Sequence, residues 1–503
     1  MSRDLVIGVD CSTTASKAVV WDASGKAIAT GRRTYGLDHV RSGWVEQNAE
    51  DWWRATEGAL ADAVKQAGSD RIAAIAITHQ RETFVCLDLA GNPLRPAITW
   101  MDMRAAAEVE SHGSAEVHRI TGKPPSPNPA WYKLLWLKRH EPATIQQTAH
   151  VVEVAGYLVH RLTGEWATSW ACADPLGLVD LRSFDYDDTL LDAVNLTRQQ
   201  VSRLLPPGSV AGQLSRSVAN DIGLPAGLPV VIGAGDGQSA SLGCNVTRPG
   251  KAFLNIGTGT VSGVYTDTYS HAMAYRSMSG AVPGSYVLES FIGGGTANIQ
   301  WFVEQLSGID PGKLAPGETP EQLLEAMAAH IPEGSEDLFC LPYWTGAMSP
   351  YWDGNARGAY VGLSGVHGKA HMYRAILEAI ALEQHLLMEG VERATGQNIE
   401  EIVLLGGGSR SPLWCQIMAN VLGRTLKLAR EQESTALGAG IHAAAAVGLH
   451  TDIRAAADAM TGTDKTIEPD AASHVRYAEI FEAYSSIYPG LKDTFRLMAE
   501  KMP

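Results

Sequence analysis

The sequence predicts an α/β protein built from two lobes. Short apolar strand patterns alternate with helical patterns along the chain, as in folds that pack helices against a sheet. The length of 503 residues exceeds the roughly 250 to 300 at which a single hydrophobic core stops growing. A strand, polar turn and return strand near the start recur roughly 240 residues later, a spacing of about one domain. We therefore expect a duplicated domain.

The first half of the chain alternates predicted strands with one long helix. A polar, hydroxyl-rich segment at 10–17 separates the first two strands. Asn48 is expected to cap a helix over Ala49–Ala67, because apolar residues recur there at helical spacing. The predicted strands lie at 5–9, 18–21, 72–77, 84–87 and 97–100.

The second half repeats this opening and then becomes more helical. A tight turn at 257–260 is flanked by two strands, and a proline and a glycine at 247–250 indicate a domain boundary there. The alternative to duplication is that two hairpins rich in glycine or threonine arose independently. The predicted elements are strands at 251–256, 261–265 and 402–405 and helices at 369–389, 412–422 and 474–502.

The composition is that of an acidic globular protein. Hydrophobic residues make up 45% of the chain and charged residues 19%, which leaves ample apolar surface for a large core. The formal net charge of −15 offers no basic surface to a nucleic acid or an anionic membrane. We expect neither as a partner, so an anionic ligand must be bound by groups gathered at one site.

Cysteine spacing and hydropathy indicate a cytoplasmic protein. The six cysteines are scattered, without the paired spacing of a zinc site or a small disulfide scaffold. The first residues run straight into a strand pattern rather than an apolar leader. No stretch approaches the roughly 20 apolar residues of a membrane span. We expect neither secretion nor insertion into a membrane.

The first polar turn has the chemistry of a phosphate and metal site. The hydroxyls of Thr13 and Thr14 and the ammonium of Lys17 would surround a terminal phosphate. Asp10, at the end of the first strand, is placed to hold Mg²⁺ through water, because Mg²⁺ dehydrates reluctantly. The chain lacks the spacing of a Walker loop or a dinucleotide fingerprint.

Two glycine-rich turns in the second half would complete the phosphate site. Gly257 and Thr258 allow close backbone approach to the same phosphates from the other side. Gly407 and Gly408, which open a helix in this prediction, would meet the nucleotide where a helix N-terminus adds positive potential. The alternative is that each glycine simply permits a turn after a strand.

Asp236 is the candidate catalytic base. It follows an apolar strand that ends in glycines, and these leave room for a hydroxyl nucleophile to approach a single carboxylate. The alternative is that Asp236 caps a helix beginning near Gln238.

Arg81 and Glu82 are the candidate contacts to a polyhydroxylated ligand. They follow the predicted strand at 72–77, and charges at the end of a buried strand are costly unless paired or used in binding. The fixed donors of Arg81 and the acceptors of Glu82 suit adjacent hydroxyls. Trp100 would offer a flat apolar wall to the carbon side of the ligand. The alternatives are a structural pairing of Arg81 with Glu82, and a core position for Trp100.

Several segments together resemble the FGGY family of carbohydrate kinases. One family position departs from the pattern, because Ala130 stands where a small hydroxyl residue or proline is usual before Lys133. The segments that carry the resemblance are Gly-Ala-Tyr-Val-Gly-Leu at 358–363, His-Met-Tyr-Arg-Ala-Ile-Leu-Glu at 371–378, Gly-Trp-Val-Glu-Gln at 43–47, Trp52 with Trp53, Lys-Leu-Leu-Trp at 133–136 and Ser-Thr-Ala-Leu-Gly-Ala at 434–439.

The resemblance implies two ribonuclease H-like lobes with a central cleft that holds ATP and Mg²⁺. A sugar-binding lobe would span 1–248 and a nucleotide-binding lobe 249–503. Asp10 would serve the metal and Asp236 would be the base. The implied nucleotide-binding residues are Thr13, Thr14, Lys17, Gly257, Thr258, Gly407 and Gly408. The resemblance alone points to a homodimer.

The substrate is less closely defined by the resemblance. Gln-Arg-Glu-Thr at 80–83 is similar to a glycerol kinase motif, whereas Asn128 and Val261 replace larger aromatic residues of that group. The overall layout looks closer to xylulose kinases. We expect phosphorylation of a ketopentose such as D-xylulose, with a polyol of the erythritol or glycerol type as the alternative. The implied substrate-binding residues are Gln80, Arg81, Glu82, Trp100, Asn128, Asp236 and Gln238.

Two non-catalytic functions remain as alternatives. One is a nucleotide-dependent binding protein, in the manner of actin or Hsp70, and the other is a catalytically silent sugar sensor. Asp236 and the pair of Arg81 and Glu82 argue against the first, which would not need them. No added DNA-binding segment supports the second.

Overall fold

The computed structural model describes residues 3–501. Within them, the first half of the chain forms a lobe with fifteen strands, six of which make up one large sheet. Its strands are β1 (Leu5–Cys11), β2 (Ala15–Asp22), β3 (Ala27–Thr34), β4 (Asp38–Arg41), β5 (Trp44–Gln47), β6 (Ile72–His79), β7 (Phe84–Leu87), β8 (Ala97–Ile98), β9 (His150–Glu153), β10 (Ala167–Ser169), β11 (Val179–Asp180), β12 (Asp185–Tyr186), β13 (Arg203–Leu205), β14 (Val210–Gln213) and β15 (Pro229–Gly235). Its helices are α1 (Ala49–Ala67), α2 (Ala106–His112), α3 (Ala115–Thr121), α4 (Ala130–His140), α5 (Pro142–Gln147), α6 (Val154–Thr163), α7 (Trp170–Ala173), α8 (Asp188–Ala193), α9 (Arg216–Ile222) and α10 (Asp236–Gly243).

The second half, within the described residues, forms a lobe with nine strands, seven of which make up one large sheet. Its strands are β16 (Lys251–Ile256), β17 (Thr260–Thr266), β18 (Arg276–Ser279), β19 (Tyr286–Ile292), β20 (Phe339–Leu341), β21 (Ala359–Val361), β22 (Glu401–Leu405), β23 (Leu426–Ala429) and β24 (Thr463–Ile467). Its helices are α11 (Thr296–Gln305), α12 (Pro320–Ala328), α13 (Lys369–Thr395), α14 (Pro412–Leu422), α15 (Ser434–Ala446), α16 (Ile453–Met460) and α17 (Ala471–Lys501).

The two large sheets share one arrangement. In the first sheet β1 pairs antiparallel with β2 and parallel with β6, while β2 pairs antiparallel with β3 and β6 parallel with β15. In the second, β16 has the same relations to β17 and β22, β17 pairs antiparallel with β19, and β22 parallel with β23. The α/β prediction is confirmed, and the common strand order supports duplication of one domain.

Most predicted elements form, with small shifts at their ends. Helix α1 has the predicted bounds, and the Asn48 side chain accepts a hydrogen bond from the Glu50 amide at 3.0 Å. Strand β8 ends at Ile98 rather than at Trp100, and α13 continues to Thr395 rather than stopping at residue 389. The predicted C-terminal helix begins at Ala471, and residues 502 and 503 lie outside the described part of the chain.

A close helix contact joins the lobes behind the cleft. Helix α15, from the second half, packs against α10 and against the first-half sheet. Glycine is required at these crossings, because a Cβ on Gly8 would lie 2.0 Å from the Ala436 carbonyl oxygen and one on Gly243 only 1.9 Å from that of Ser434. The contact fixes α10, and therefore Asp236 at its start, relative to the second lobe.

No helix within residues 3–501 is both long enough and apolar enough to cross a membrane. All six cysteines are buried free thiols.

Candidate active site

A cavity of about 200 Å³ lies between the two lobes and gathers most of the predicted acceptor residues. The first lobe contributes charged and polar groups, and the second adds one arginine and several large apolar side chains. The lining residues are Arg81, Glu82, Trp100, Asn128, Asp236, Val261, Arg276, Phe291, Met348 and Trp352. We name this space the acceptor cavity.

Asp236 lies at the wall of the acceptor cavity, where β15 ends and α10 begins. Its side chain is 39% exposed, and its Oδ1 lies 2.7 Å from Arg81 Nε. Helix α10 begins at Asp236 itself, with Gly235 as the capping residue, so the alternative in which Asp236 caps a helix beginning near Gln238 is wrong. Asp236 Oδ1 accepts a hydrogen bond from the neighbouring Gly237 amide at 2.7 Å, and the carboxylate keeps an exposed side towards the cavity.

Arg81 and Glu82 do not pair with each other, and each instead forms an ion pair with the second lobe. Arg81 donates two hydrogen bonds to Glu289, from Nη1 to Oε2 at 2.8 Å and from Nη2 to Oε1 at 3.2 Å. Glu82 Oε1 accepts from Arg276 Nη1 at 2.7 Å. Glu289 and Arg276 face each other across β18 and β19, joined by Arg276 Nε to Glu289 Oε1 at 2.7 Å. We call these four residues the charge ring.

Glu289, Arg81 and Arg276 of the charge ring stay ionised despite burial. Burial would raise the pKa of Glu289, but Arg276 and Arg81 lower it to about 2. Burial likewise opposes the charge of Arg81, and Glu289, Asp236 and Glu82 outweigh it to raise the pKa of that guanidinium. Buried charges persist only when paired in this way. The acceptor cavity therefore has a wall of fixed charges.

Trp100 and Asn128 form another wall, supported from below by Lys133. The Trp100 indole donates from Nε1 to Thr13 Oγ1 at 3.0 Å, and Asn128 Nδ2 donates to the Trp100 carbonyl at 3.2 Å. The fully buried Lys133 ammonium donates to the carbonyls of Thr99 at 2.9 Å and Asn128 at 2.8 Å. Burial lowers the pKa of Lys133 to about 7. This lysine ties the two wall segments together.

Gln80 and Gln238 lie behind the acceptor cavity rather than in its lining. Gln80 Nε2 donates to Gln47 Oε1 at 2.8 Å, and its Oε1 accepts from Thr83 at 3.1 Å. Gln238 is fully buried, and its Nε2 donates to the Ala171 carbonyl at 3.0 Å. Both amides are occupied by protein partners, so in this structure they support the cavity wall.

Asp10 is half-buried and has one carboxylate oxygen that is buried and unused. Its Oδ1 is buried and has no hydrogen-bond partner within the described chain. Burial raises the pKa of Asp10 to about 7, with further contributions from Asp236 and Glu433. Residues 3–501 contain no cluster of three His, Cys, Asp or Glu side chains suited to a metal. A single carboxylate still fits Mg²⁺, which keeps several waters and is often held by one or two carboxylates together with substrate phosphates.

The turn between β1 and β2, which is predicted to bind phosphate, is accessible to solvent, and Lys17 beside it already forms an ion pair. Thr14 is exposed and Thr13 half-buried, on the turn between β1 and β2. Lys17 Nζ lies 2.5 Å from Glu433 Oε2, a residue just before α15 of the second half. Asp10 and Lys17 are direct partners across β1 and β2, which places carboxylate and ammonium on one hairpin.

The second-lobe turns border another cavity, of about 530 Å³. Gly407 and Gly408 line it together with Thr296, whose amide donates to the Gly257 carbonyl at 2.8 Å. Thr258, beside Gly257, is exposed on the turn between β16 and β17. The two glycines open a single 3₁₀ turn, Gly407–Arg410, which leads into α14, and α14 has the predicted bounds.

Arg276 and Glu289 are the main site residues that sequence reasoning missed. Glu289 had a signal, because it is a lone carboxylate in the apolar strand β19, where an unpaired charge would be costly. Arg276 begins a short strand after an irregular segment and carried no comparable signal. Glu433 was also overlooked, and nothing in its exposed surroundings marks it in the sequence.

Comparison with known proteins finds the same family in both halves. Residues 5–243 match the N-terminal domain of the FGGY family of carbohydrate kinases, and residues 252–447 match its C-terminal domain. The chain is 30% identical to the xylulose kinase of Escherichia coli over 84% of this chain and 86% of that protein. It is 31% identical to the glycerol kinase of Thermococcus kodakarensis over 92% of each.

A solved structure shows the same overall fold. The crystal structure of xylulose kinase from Rhodospirillum rubrum superimposes with a TM-score of 0.91 and 29% sequence identity, over 98% of this chain and all of that one. The two-lobed, ribonuclease H-like arrangement expected from the sequence is therefore confirmed.

Proposed function

Because this chain belongs to the FGGY family of carbohydrate kinases, we propose that it transfers the γ-phosphoryl group of ATP to a terminal hydroxyl of a ketopentose of the D-xylulose type. Enzymes of this family are phosphotransferases that use ATP as donor and an alcohol group as acceptor. Membership of this family argues against the two non-catalytic alternatives. The similarity to xylulose kinases supports the ketopentose.

The observation that carries the proposal is the position of Asp236. Its carboxylate lies on the wall of a small cavity, held by the Arg81 guanidinium 2.7 Å away and free on its cavity side. In the proposed reaction Asp236 accepts the proton of the substrate hydroxyl as the oxygen forms its bond to the γ-phosphorus. The bond from that phosphorus to the β-bridging oxygen breaks, and ADP leaves.

We propose that the phosphates lie between the turn that follows β1 and the turn that follows β16. Thr13, Thr14 and the Gly257 turn supply donors, and Lys17 supplies charge once a phosphate competes with Glu433 for it. Asp10 would hold Mg²⁺ through water, and the unused Oδ1 supports this. When bound, Mg²⁺ would neutralise charge on the phosphate oxygens. Gly407 and Gly408, on the larger cavity, would contact the nucleotide.

The acceptor cavity favours a small, uncharged substrate. At about 200 Å³ it is smaller than the roughly 300 to 1,000 Å³ of sites for drug-sized ligands, which suits a chain of four or five carbons. Three carboxylates lie at or beside the cavity together with two guanidiniums and the buried Lys133, so these groups present no excess of positive charge. The carboxylate of a sugar acid would therefore gain no net attraction there.

A polyol is the second candidate, supported by Arg81 and Glu82. Their order in the segment 80–83 is similar to that of glycerol kinases, and this chain is 31% identical to one of them. A guanidinium beside a carboxylate suits two adjacent hydroxyls equally well in a tetritol and in a ketopentose. Size and charge therefore allow both the ketopentose and the polyol. The two substrates differ in the carbonyl group, which only the ketopentose has.

A direct assay distinguishes these candidates. Purified enzyme with Mg²⁺ and ATP is offered D-xylulose, D-ribulose, erythritol, glycerol and gluconate, and ADP release and the phosphorylated product are measured. We expect D-xylulose to give the highest kcat/KM and gluconate to give no product. Preferential turnover of erythritol or glycerol would establish the polyol alternative. Absence of any phosphorylated product would contradict the proposed function.

The division of labour between the lobes is also a proposal. We assign sugar binding to 1–248 and nucleotide binding to 249–503, and the larger cavity in the second half supports the second assignment. The acceptor cavity draws five of its ten lining residues from the second half, so sugar binding involves both. We further propose a cytoplasmic location, which suits six buried free thiols, and a homodimer, which light scattering would test.

A further inference from the structure

The charge ring joins the two lobes at the acceptor cavity. Arg81 and Glu82 belong to the first lobe, and Arg276 and Glu289 lie side by side on β18 and β19 of the second. Two of the ring's ion pairs, Arg81 with Glu289 and Glu82 with Arg276, therefore cross between lobes. The acceptor cavity is complete only when both pairs are in place.

Structural stability alone gives a weak reason for this ring. Glu289 is 1% exposed and Arg81 8%, so their charges have been taken almost completely out of water. The cost of that desolvation commonly matches or exceeds the attraction, and apolar residues of similar volume would stabilise a lobe contact at least as well. Charges at this place are better explained by what they present to the cavity.

Arg276 retains donors that the ring does not use. A guanidinium has five N–H groups. Nε and Nη2 are directed at Glu289 and Nη1 at Glu82, which leaves one N–H on each terminal nitrogen. The side chain is 17% exposed and lines the acceptor cavity. These remaining N–H groups are available to a ligand oxygen.

Glu82 is held in a position that depends on Arg276. Its backbone is in the left-handed region, with φ of 59°, which an ordinary residue adopts at some cost. Arg276 Nη1 binds Oε1, and Oε2 has no hydrogen-bond partner within the described chain. Arg276 thus fixes one oxygen of the carboxylate and leaves the other for a substrate hydroxyl.

We propose that Arg276 is a specificity-determining residue of the acceptor site, which donates a hydrogen bond to one substrate oxygen and orients Glu82 towards the neighbouring hydroxyl. The inference rests on the proposed function, because it assigns a contact to the same substrate. It makes the second lobe a direct reader of the sugar, in addition to its role with the nucleotide. Recognition of the acceptor then depends on both lobes being together.

The test compares deoxy analogues of the best substrate from the panel, each lacking one hydroxyl, in wild type and two variants. Arg276→Gln removes the charge, and Arg276→Lys keeps the charge but loses the forked donors. A site built to bind a hydroxyl penalises its loss heavily. We expect wild type to discriminate strongly at two neighbouring positions, and both variants to lose that discrimination by about 10- to 100-fold there and nowhere else. The KM for the intact substrate should rise while the KM for ATP stays constant.

A matched control is the exposed pair of Arg248 with Asp458, whose Nη2 to Oδ2 distance is 2.6 Å. Arg248→Gln should leave all acceptor kinetics unchanged. Three results would overturn the proposal: an equal fall in kcat/KM with every analogue, a parallel rise in the KM for ATP, or unchanged discrimination between analogues in Arg276→Lys. If Arg276→Gln does not fold, the Lys variant decides alone. Failure of wild type to phosphorylate any panel member would instead contradict the proposed function.

Discussion

Two ends of the cleft differ in how their polar groups are satisfied. We call the acceptor cavity with its charge ring the acceptor end, and the proposed phosphate site around Asp10, Thr14 and Thr258 the phosphate end. At the acceptor end, Arg81, Glu82, Arg276 and Glu289 are each paired, at distances of 2.6 to 3.2 Å, before any ligand binds. At the phosphate end, Asp10 Oδ1 and Thr260 Oγ1 are buried without partners in the described chain, and Thr14 and Thr258 are exposed.

The difference indicates two ways of building a site. Buried groups that satisfy one another hold their geometry without a ligand, and this preorganisation favours selectivity. Groups left without partners gain theirs when a charged ligand arrives, so the proposed phosphate and metal would complete the geometry there. We therefore expect substitutions at the acceptor end to change structure and selectivity together, and substitutions at the phosphate end to change mainly nucleotide affinity.

The largest expected effect comes from Asp236, which stands where the two ends meet. Asp236→Asn keeps the shape of the side chain but removes the base, so kcat should fall by about 10² to 10⁴. Thermal unfolding should change little, because the side chain is 39% exposed and Arg81 keeps its two bonds to Glu289. Steady-state kinetics with the best substrate of the panel measure the fall.

The control for Asp236→Asn is the same change at Asp458, an exposed carboxylate bonded to Arg248. Asp458→Asn should leave kcat unaltered. Near wild-type turnover in folded Asp236→Asn would remove the base assignment, and with it the reason for treating the two ends as parts of one reaction.

The next effect concerns stability at the acceptor end. Glu289→Gln removes a carboxylate shared by the buried Arg81 and the half-buried Arg276, and breaking a buried pair commonly costs about 3 to 5 kcal/mol in the free energy of unfolding. Because Arg81 keeps Asp236 and Arg276 keeps Glu82, we expect a cost near the lower end, about 3 kcal/mol. Urea denaturation measures this loss. A cost below about 1 kcal/mol would mean that the ring is not the organised structure inferred from its geometry.

The same variant makes a prediction about pH. The folded-state pKa of Glu289 is about 2, below its ordinary value of 4.5, so its contribution is fully present above pH 4.5 and is lost as the pH falls towards 2. The difference in free energy of unfolding between wild type and Glu289→Gln should therefore be constant from pH 7 to 5 and shrink below pH 4.5. Other acidic groups are common to both proteins and largely cancel. A difference that grows on acidification would contradict the assignment.

Local patterns in the sequence predicted the elements that carry the site. Helix α1 was predicted because its two signals, the Asn48 cap and the helical spacing of apolar residues, are both local in the sequence. The position of Asp236 followed from an apolar strand that ends in glycines. Helix α10 starts at Asp236, earlier than the alternative start near Gln238, since Gly235 ends the strand conformation. These features are set by neighbours along the chain.

The partners of the charged residues could not be predicted in the same way. Arg81 and Glu289 are separated by 208 residues, and their contact depends on how two lobes meet. Neither periodicity nor turn chemistry carries that information. The lone carboxylate of Glu289 in an apolar strand announces that a cation must lie nearby, but it does not identify which one. Pairing within the ring therefore had to come from the structure.

The smallest expected effect tests the phosphate end. Lys17 is paired with Glu433 at 2.5 Å, yet the Glu433 side chain is 46% exposed, and such pairs contribute only about 0.2 to 1 kcal/mol. If Glu433 only competes with phosphate for Lys17, Glu433→Gln should lower the KM for ATP by about 1.5- to 5-fold. The KM for the sugar should stay constant. Glu479→Gln, which breaks an exposed pair with Arg476 on α17, is the matched control and should change neither value.

The opposite result would be equally informative about the comparison. Glu433 contributes to the raised pKa of Asp10, so the two carboxylates interact electrostatically. A rise in the KM for ATP in Glu433→Gln, relieved by higher Mg²⁺, would mean that Glu433 supports the metal rather than restraining Lys17. The phosphate end would then possess a preorganised acidic pair. Only its exposed hydroxyls, those of Thr14 and Thr258, would still differ from the paired groups of the acceptor end.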